Sequence, residues 1–319
     1  MSNVRRWLPA GIVGLALAAL ACGPQGPAAG SAPPEPVRTP PAATSPAAPT
    51  AARPAATVAS QATVVRPAPT AIPVPPTVVK PAPTATELPA RAPRVIAVDP
   101  GHGGTETGAV HTVRGRKADL IEKNVNLAIA LDLADDLRAA GYTPVLTRTE
   151  DTGVNLPPRD LNGDGVIDND DDLQARVDIA NNAGADLLLS IHNNGAGPAR
   201  RGTTTYYSQA HPLGAQGKAL AGFIQHQFIA GLRGAGYDDV IDEGISDDTP
   251  LGKPFGHLFV IGPKTPRVAR AAKMPGALGE TLFLTNDTEA ALLATKAIQQ
   301  VIALAYARGV DDYFAKFPE

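Results

Sequence analysis

The chain has 319 residues, a formal net charge of −3 and one cysteine, Cys22. The near-neutral charge balance, with no run of Lys and Arg, argues against nucleic acid as a partner. A single cysteine excludes an internal disulfide, so the folded part is held by its core and any bound metal rather than by cross-links.

Arg5 and Arg6 precede an apolar run from Leu8 to Ala21 that is too short to span a bilayer comfortably, so residues 1–22 read as an export signal. Cys22 follows Ala19-Leu20-Ala21, which resembles a bacterial lipoprotein cleavage site with lipid attached to the cysteine. Leu20 departs from the usual small residue there, and the alternative is a conventional signal peptidase site after Ala21. Both readings export the protein to the cell envelope, and the first anchors it to the membrane through its N-terminal lipid.

Of the 32 prolines, 19 lie between Pro24 and Pro93, a stretch with no aromatic residue. Residues 23–93 therefore have too little apolar surface to offset the entropy of ordering and are expected to form a disordered linker. In partly polyproline II form, at about 3 Å per residue, such a tether reaches on the order of 200 Å when fully extended. One folded domain is expected over residues 94–310, followed by a short tail at 311–319.

Within the domain, Arg94 to Asp99 reads as a buried strand closed by Pro100-Gly101. Lys123 to Ala140 predicts a helix with Gly141 at its C-terminal cap. Thr143 to Thr147 follows as a strand and Leu173 to Asn182 as a helix. Asp186 to Ile191 is apolar without alternation, the pattern of a strand covered on both faces. Then come a strand at Thr203 to Tyr207, a helix at Leu213 to Leu232, a strand at Ala277 to Leu284 and a helix at Glu289 to Ala307. Strands alternating with helices predict an α/β fold, with a single twisted, largely parallel sheet flanked by helices.

Three residues with metal-ligating side chains fall at element ends: His102 in Asp99-Pro100-Gly101-His102-Gly103-Gly104, Glu122 at the start of the first helix, and His192 in Ser190-Ile191-His192-Asn193-Asn194. Two imidazoles and one carboxylate, with water in the fourth position, make a known type of catalytic zinc site. Taken singly, each has a plainer explanation, since glycine-rich loops often follow strands and a Glu at a helix start favours the helix dipole. Together with Gly108, Asn124, Asn126, Leu146-Thr147-Arg148, Arg176, Ala180-Asn181 and Ala185-Asp186, they resemble the zinc-dependent N-acetylmuramoyl-L-alanine amidases over nearly the whole domain. The resemblance implies a phosphorylase/hydrolase-like sheet, Zn2+ held by His102, Glu122 and His192, and peptidoglycan as substrate. It also implies that Glu280, in Gly279-Glu280-Thr281-Leu282, is the general base. It leaves room for an activator protein, unidentified. Two other readings stay open: a non-catalytic wall-binding lipoprotein, and another zinc peptidase or amidohydrolase on the same residues.

Residues 160–171 are not required by that family pattern. Asp160, Asn162, Asp164, Asp168 and Asp171 place oxygens at positions 1, 3, 5, 9 and 12 of a calcium loop. Val166 offers a backbone carbonyl, Gly165 the sharp turn and Ile167 an inward apolar side chain. The loop resembles those of EF-hands and dockerins and implies structural Ca2+, while a solvated acidic turn capping the next helix is the alternative. His111, His211, His226 and His257 are expected to be surface or packing residues, with a substrate role open for His257.

Overall fold

The computed structural model describes residues 93–113, 117–249 and 256–318. The export signal, Cys22 and nearly all of the expected linker lie outside the described residues. Six strands form the main sheet in the order β4-β1-β5-β8-β6-β7. These are β1 Val95–Pro100, β4 Thr143–Leu146, β5 Leu187–Asn194, β6 Thr203–Tyr207, β7 Asp242–Asp247 and β8 Gly276–Phe283. β4, β1, β5 and β8 are parallel neighbours, whereas β6 runs antiparallel to β8 and carries β7 parallel to itself. A two-stranded hairpin, β2 Val110–Thr112 with β3 Ala118–Ile121, lies outside this sheet.

The central strands are apolar on both faces because both faces are covered. Ile96, Val98, Leu187, Leu189 and Ile191 join one core with residues of α1 Glu122–Ala139, α3 Gly214–Gly234 and α5 Lys296–Lys316. The alternate residues Ala97 and Leu188 join a second core with Val177 and Ala180 of α2 Asn169–Asn182 and with Val260 and Met274. Each fully buried leucine in these layers contributes roughly 1.5–3 kcal/mol. Tyr306 of α5 is wholly buried and stacks edge-on against Phe228 of α3 at 4.8 Å. A Cβ on Gly279 would stand 2.2 Å from the Tyr306 hydroxyl, so the strand that carries Glu280 needs a glycine just before it.

Several elements differ from the sequence expectation for local reasons. α2 begins at Asn169 rather than Leu173, because Asp168 accepts from the Asp170 N–H while Asp171 accepts from the Asp168 N–H, a reciprocal cap. The expected last helix is two: α4 Asp287–Leu293, then α5, bent by 80°. Thr295 makes the break by accepting from the Ile298 N–H and donating to the Leu292 carbonyl. α5 continues past Ala307 to Lys316, into the segment expected as a tail. The short hairpin and the polar edge strand β7, Asp-Glu-Gly-Ile-Ser-Asp, carry little strand signal and were not expected.

Candidate metal centre

The loop after β1 is held by two arginines that spend their donors on its carbonyls. Arg148 donates to Pro100 O and Gly101 O, each at 2.9 Å, and Arg176 donates to Pro100 O at 2.9 Å and His102 O at 2.8 Å. Arg176 is 2% exposed and Asp99 1%, and they pair at 2.9 Å. Burial would raise the Asp99 carboxyl, but Arg176 and the Thr147 hydroxyl hold it below the usual carboxylate range. Ser190 donates to the other Asp99 oxygen at 2.9 Å, which ties the ends of β1 and β5 together. At the tip, Lys123 donates to Gly104 O at 2.6 Å and pairs with Asp151 at 2.8 Å.

α1 has no capping side chain at its start. Its first N–H groups donate instead to the loop, Glu122 to Ala109 O at 2.9 Å and Lys123 to Thr107 O at 3.2 Å. This places the Glu122 carboxylate, 4% exposed, beside His102. Nε2 of His102 and Nδ1 of His192 each lie 3.1 Å from the same Glu122 oxygen. Among the described residues, His102, Glu122 and His192 are the group whose ligand atoms all fall within 4.8 Å of one another. The second Glu122 oxygen accepts from the Ala109 N–H at 2.7 Å, which fixes the carboxylate's orientation. Gly108 has φ +64°, and a Cβ there would stand 2.4 Å from that oxygen and 2.6 Å from the His102 ring.

Burial would lower the His102 pKa and raise that of Glu122, yet the hydrogen bonds among Glu106, His102, Glu122 and His192 reverse both. His102 is pushed up to about 10 and Glu122 falls well below the ordinary carboxylate range. The donors thus favour positive charge between them, and two imidazole nitrogens plus a carboxylate are the donor set that suits zinc. A pocket of about 160 Å³ opens at this point, bordered by His102, Glu106, His192, Arg176 and the first turn of α2.

Glu280 is paired in register with His192 on the adjacent parallel strand and with Thr204 on the other side. Neighbouring strands lie about 4.8 Å apart and registered partners share a face, so its carboxylate rises beside His192. Tyr206, two residues along from Thr204, shares that face; burial first and the Glu280 charge second raise its pKa.

Glu106 was not singled out from the sequence. It accepts from Nδ1 of His102, while its backbone pairs with Gly103 at 2.9 and 3.1 Å. The signal was there: a carboxylate four residues after the candidate ligand His102, within the same glycine-rich turn.

The residues expected to form a calcium loop, 160–171, run into the first turn of α2. Asp160 accepts from Gly163 N and Gly165 N, Asn162 from Asp164 N, and Asp164 from Val166 N. Asp171, fully buried, accepts from Leu161 N, Asn162 N and Asp168 N. Gly165 has φ +88°, the sharp turn expected there. Ile167 does not pack inward: it is 56% exposed, beside Val166 at 55%. His211 is buried against Ala272 O, His226 is exposed, and His257 pairs with buried Asp248 at 2.9 Å. His111 bridges Asp119 and Asp287.

Residues 96–312 match the model of the family described as N-acetylmuramoyl-L-alanine amidase. The chain is 32% identical over 248 residues to N-acetylmuramoyl-L-alanine amidase AmiA of Escherichia coli (strain K12), covering 70% of this chain and 77% of that one. Among solved structures, it is similar to the N-acetylmuramoyl-L-alanine amidase from Clostridium difficile 630, with 28% identity and a TM-score of 0.51 over 70% of this chain and 98% of that one. It is likewise similar to the CwlD amidase from Clostridioides difficile, solved in complex with the GerS lipoprotein, with 26% identity and a TM-score of 0.53 over 70% and 99% of the two chains.

Proposed function

The chain belongs to the N-acetylmuramoyl-L-alanine amidase family, and from that premise we propose how its residues cut the amide between N-acetylmuramic acid and the L-alanine of the peptidoglycan stem. The observation that carries the proposal is the convergence of His102 Nε2 and His192 Nδ1 on one Glu122 oxygen, 3.1 Å from each, with Glu280 in register beside His192.

His102, Glu122 and His192 would hold the zinc. Bound there, it would supply a Lewis acid for the scissile carbonyl and lower the pKa of a bound water towards neutrality. Glu280 removes the proton from the attacking water and hands it to the departing L-alanine amine, so one carboxylate serves as base and then as acid. Glu106 accepts from His102 Nδ1, which fixes the tautomer that leaves Nε2 for the metal. Arg148, Arg176 and Asp99 keep the His102 loop in place while this happens.

The reading is tested by incubating wild type and Glu280→Gln with purified peptidoglycan. Mass spectrometry then looks for stem peptides with a free L-alanine amine. Release by wild type alone supports it; release by both enzymes removes Glu280 from the role, and zinc-loaded wild type that releases nothing overturns the reaction.

Two further assignments belong to the same reading. Ca2+ binds residues 160–171 through Asp160, Asn162, Asp164, Val166, Asp168 and Asp171 and pins that insertion; the ordered oxygens and the Gly165 turn support it. A calcium titration with no change in melting temperature would remove it. Lipid on Cys22, or cleavage after Ala21, places the domain in the envelope behind the linker of residues 23–93. Mass measurement of the mature N-terminus, with and without Cys22→Ala, distinguishes them.

A further inference from the structure

A groove of about 430 Å³ lies between the β2–β3 hairpin and α4. Val113, Leu120 and Ala291 give it apolar walls, and His111, Asp119 and Asp287 give it charge. His111 is 8% exposed and engaged at both nitrogens, Nδ1 2.7 Å from Asp119 and Nε2 3.1 Å from Asp287. The imidazole therefore bridges the two carboxylates, Asp119 with its side chain 48% exposed and Asp287 94%, and even with the imidazolium formed the trio keeps a net negative charge. Apolar walls ending in negative charge suit an alkyl chain that carries an ammonium group.

The groove is built from the same segments as the metal centre. Asp119 and Leu120 lie three and two residues before Glu122, and Ala109, at the base of the hairpin, donates to the Glu122 carboxylate. On the other wall, α4 follows β8, the strand of Glu280. At about 3.3 Å per strand residue, Asp119 stands within ~10 Å of the metal ligand. Two residues of extended peptide span about 7 Å, and a four-carbon side chain covers the remainder.

Resting on the amidase reading, we propose that this groove is the subsite for a diamino-acid side chain two residues beyond the L-alanine of the cleaved bond. Its ammonium pairs with Asp119 and Asp287 and its methylenes lie on Leu120 and Val113. Acylation of that amine, as in a cross-linked stem, removes the charge and leaves the carboxylates facing an amide. The enzyme accordingly prefers stems that are not cross-linked.

The test uses the zinc-loaded full chain and two muramoyl peptides that differ only at a third-position lysine, with its ε-amine either free or acetylated. Binding of the same peptides, fluorescently labelled, to chelator-treated protein gives a readout that does not depend on cleavage. Wild type is expected to favour the free amine by ~10-fold in kcat/KM and in affinity, the scale of one charge-assisted pair. Asp119→Asn combined with Asp287→Asn should bring both ratios near one. Ala291→Leu, at an exposed position of α4, should also lower them by filling the groove without touching a charge. Equal values for the two peptides on wild type, or ratios unchanged in both variants, would overturn the subsite. If neither peptide is cleaved but the free amine still binds more tightly in a groove-dependent way, the amidase reading fails and the subsite stands. Neither cleavage nor preferential binding sinks both.

Discussion

His192 and Glu280 sit side by side as registered partners on adjacent parallel strands, although 88 residues separate them in the chain. The register places the His192 imidazole and the Glu280 carboxylate on one face at one end of the sheet. Glu280→Gln removes the proposed proton acceptor and keeps the shape, so turnover should fall by ~10²–10⁴ with zinc content unchanged. Steady-state rates with metal analysis of the same sample check it. Loss of zinc in step with rate would make Glu280 a ligand instead of a base.

The metal-free protein should have a distinctive pH profile. The folded-state pKa of His102 is raised from 6.5 to about 10, so its contribution to stability is complete below about 6.5 and lost as pH climbs through about 10. The Glu122 pKa is lowered from 4.5, so its contribution is complete above that value and lost as pH falls. Chelator-treated protein is expected to melt highest between about pH 5 and 6.5 and progressively lower from pH 7 to 10. Zinc-loaded protein should lose less over the alkaline range, because metal binding favours deprotonated ligands. Melting curves at matched ionic strength decide it, and a flat profile without metal would show that these hydrogen bonds are not maintained in solution.

Arg176 should be the costliest single arginine to remove. Its guanidinium is buried, paired with Asp99 and Asp172, and bonded to two loop carbonyls. Arg176→Ala leaves Asp99 buried without its cation and is expected to cost about 3–5 kcal/mol in chemical denaturation. A loss below about 1 kcal/mol, the range of an exposed pair, would mean that water replaces the guanidinium without penalty.

Glu106 should matter for the metal more than for the fold. It is half-exposed and reaches His102 from the side opposite Glu122, so Glu106→Ala is expected to weaken zinc binding by ~10–100-fold in chelator competition while barely moving the melting temperature of the metal-free protein. Glu106→Gln, which can still accept from Nδ1, should fall between. Identical zinc affinities for all three proteins would sink the orienting role.

The apolar runs of β1 and β5, the glycine-rich turn around His102 and the carboxylate at the start of α1 were legible in the sequence, because hydrophobic periodicity and turn chemistry are local. The break between α4 and α5 was also locally written, in the cap at Thr295, but a continuous apolar pattern on either side masked it. β7 and the β2–β3 hairpin were not legible, since their polar residues become strands only when a neighbour supplies hydrogen-bond partners. The donor set His102, Glu122 and His192 could be named from the chain, yet nothing local states that two nitrogens meet one oxygen. That depends on the parallel register of β1 with β5 and on the docking of the start of α1 against the loop. The same holds for the buried Asp99–Arg176 pair and for the contact of His111 with Asp287, whose partners lie far apart in the chain, whereas His111 and Asp119 meet within one hairpin. Sequence determined which chemistry the chain carries, because residue types and short-range turns are encoded where they stand. Tertiary structure alone decided which of those groups face one another, because strand register and helix packing are fixed by the burial of the whole core.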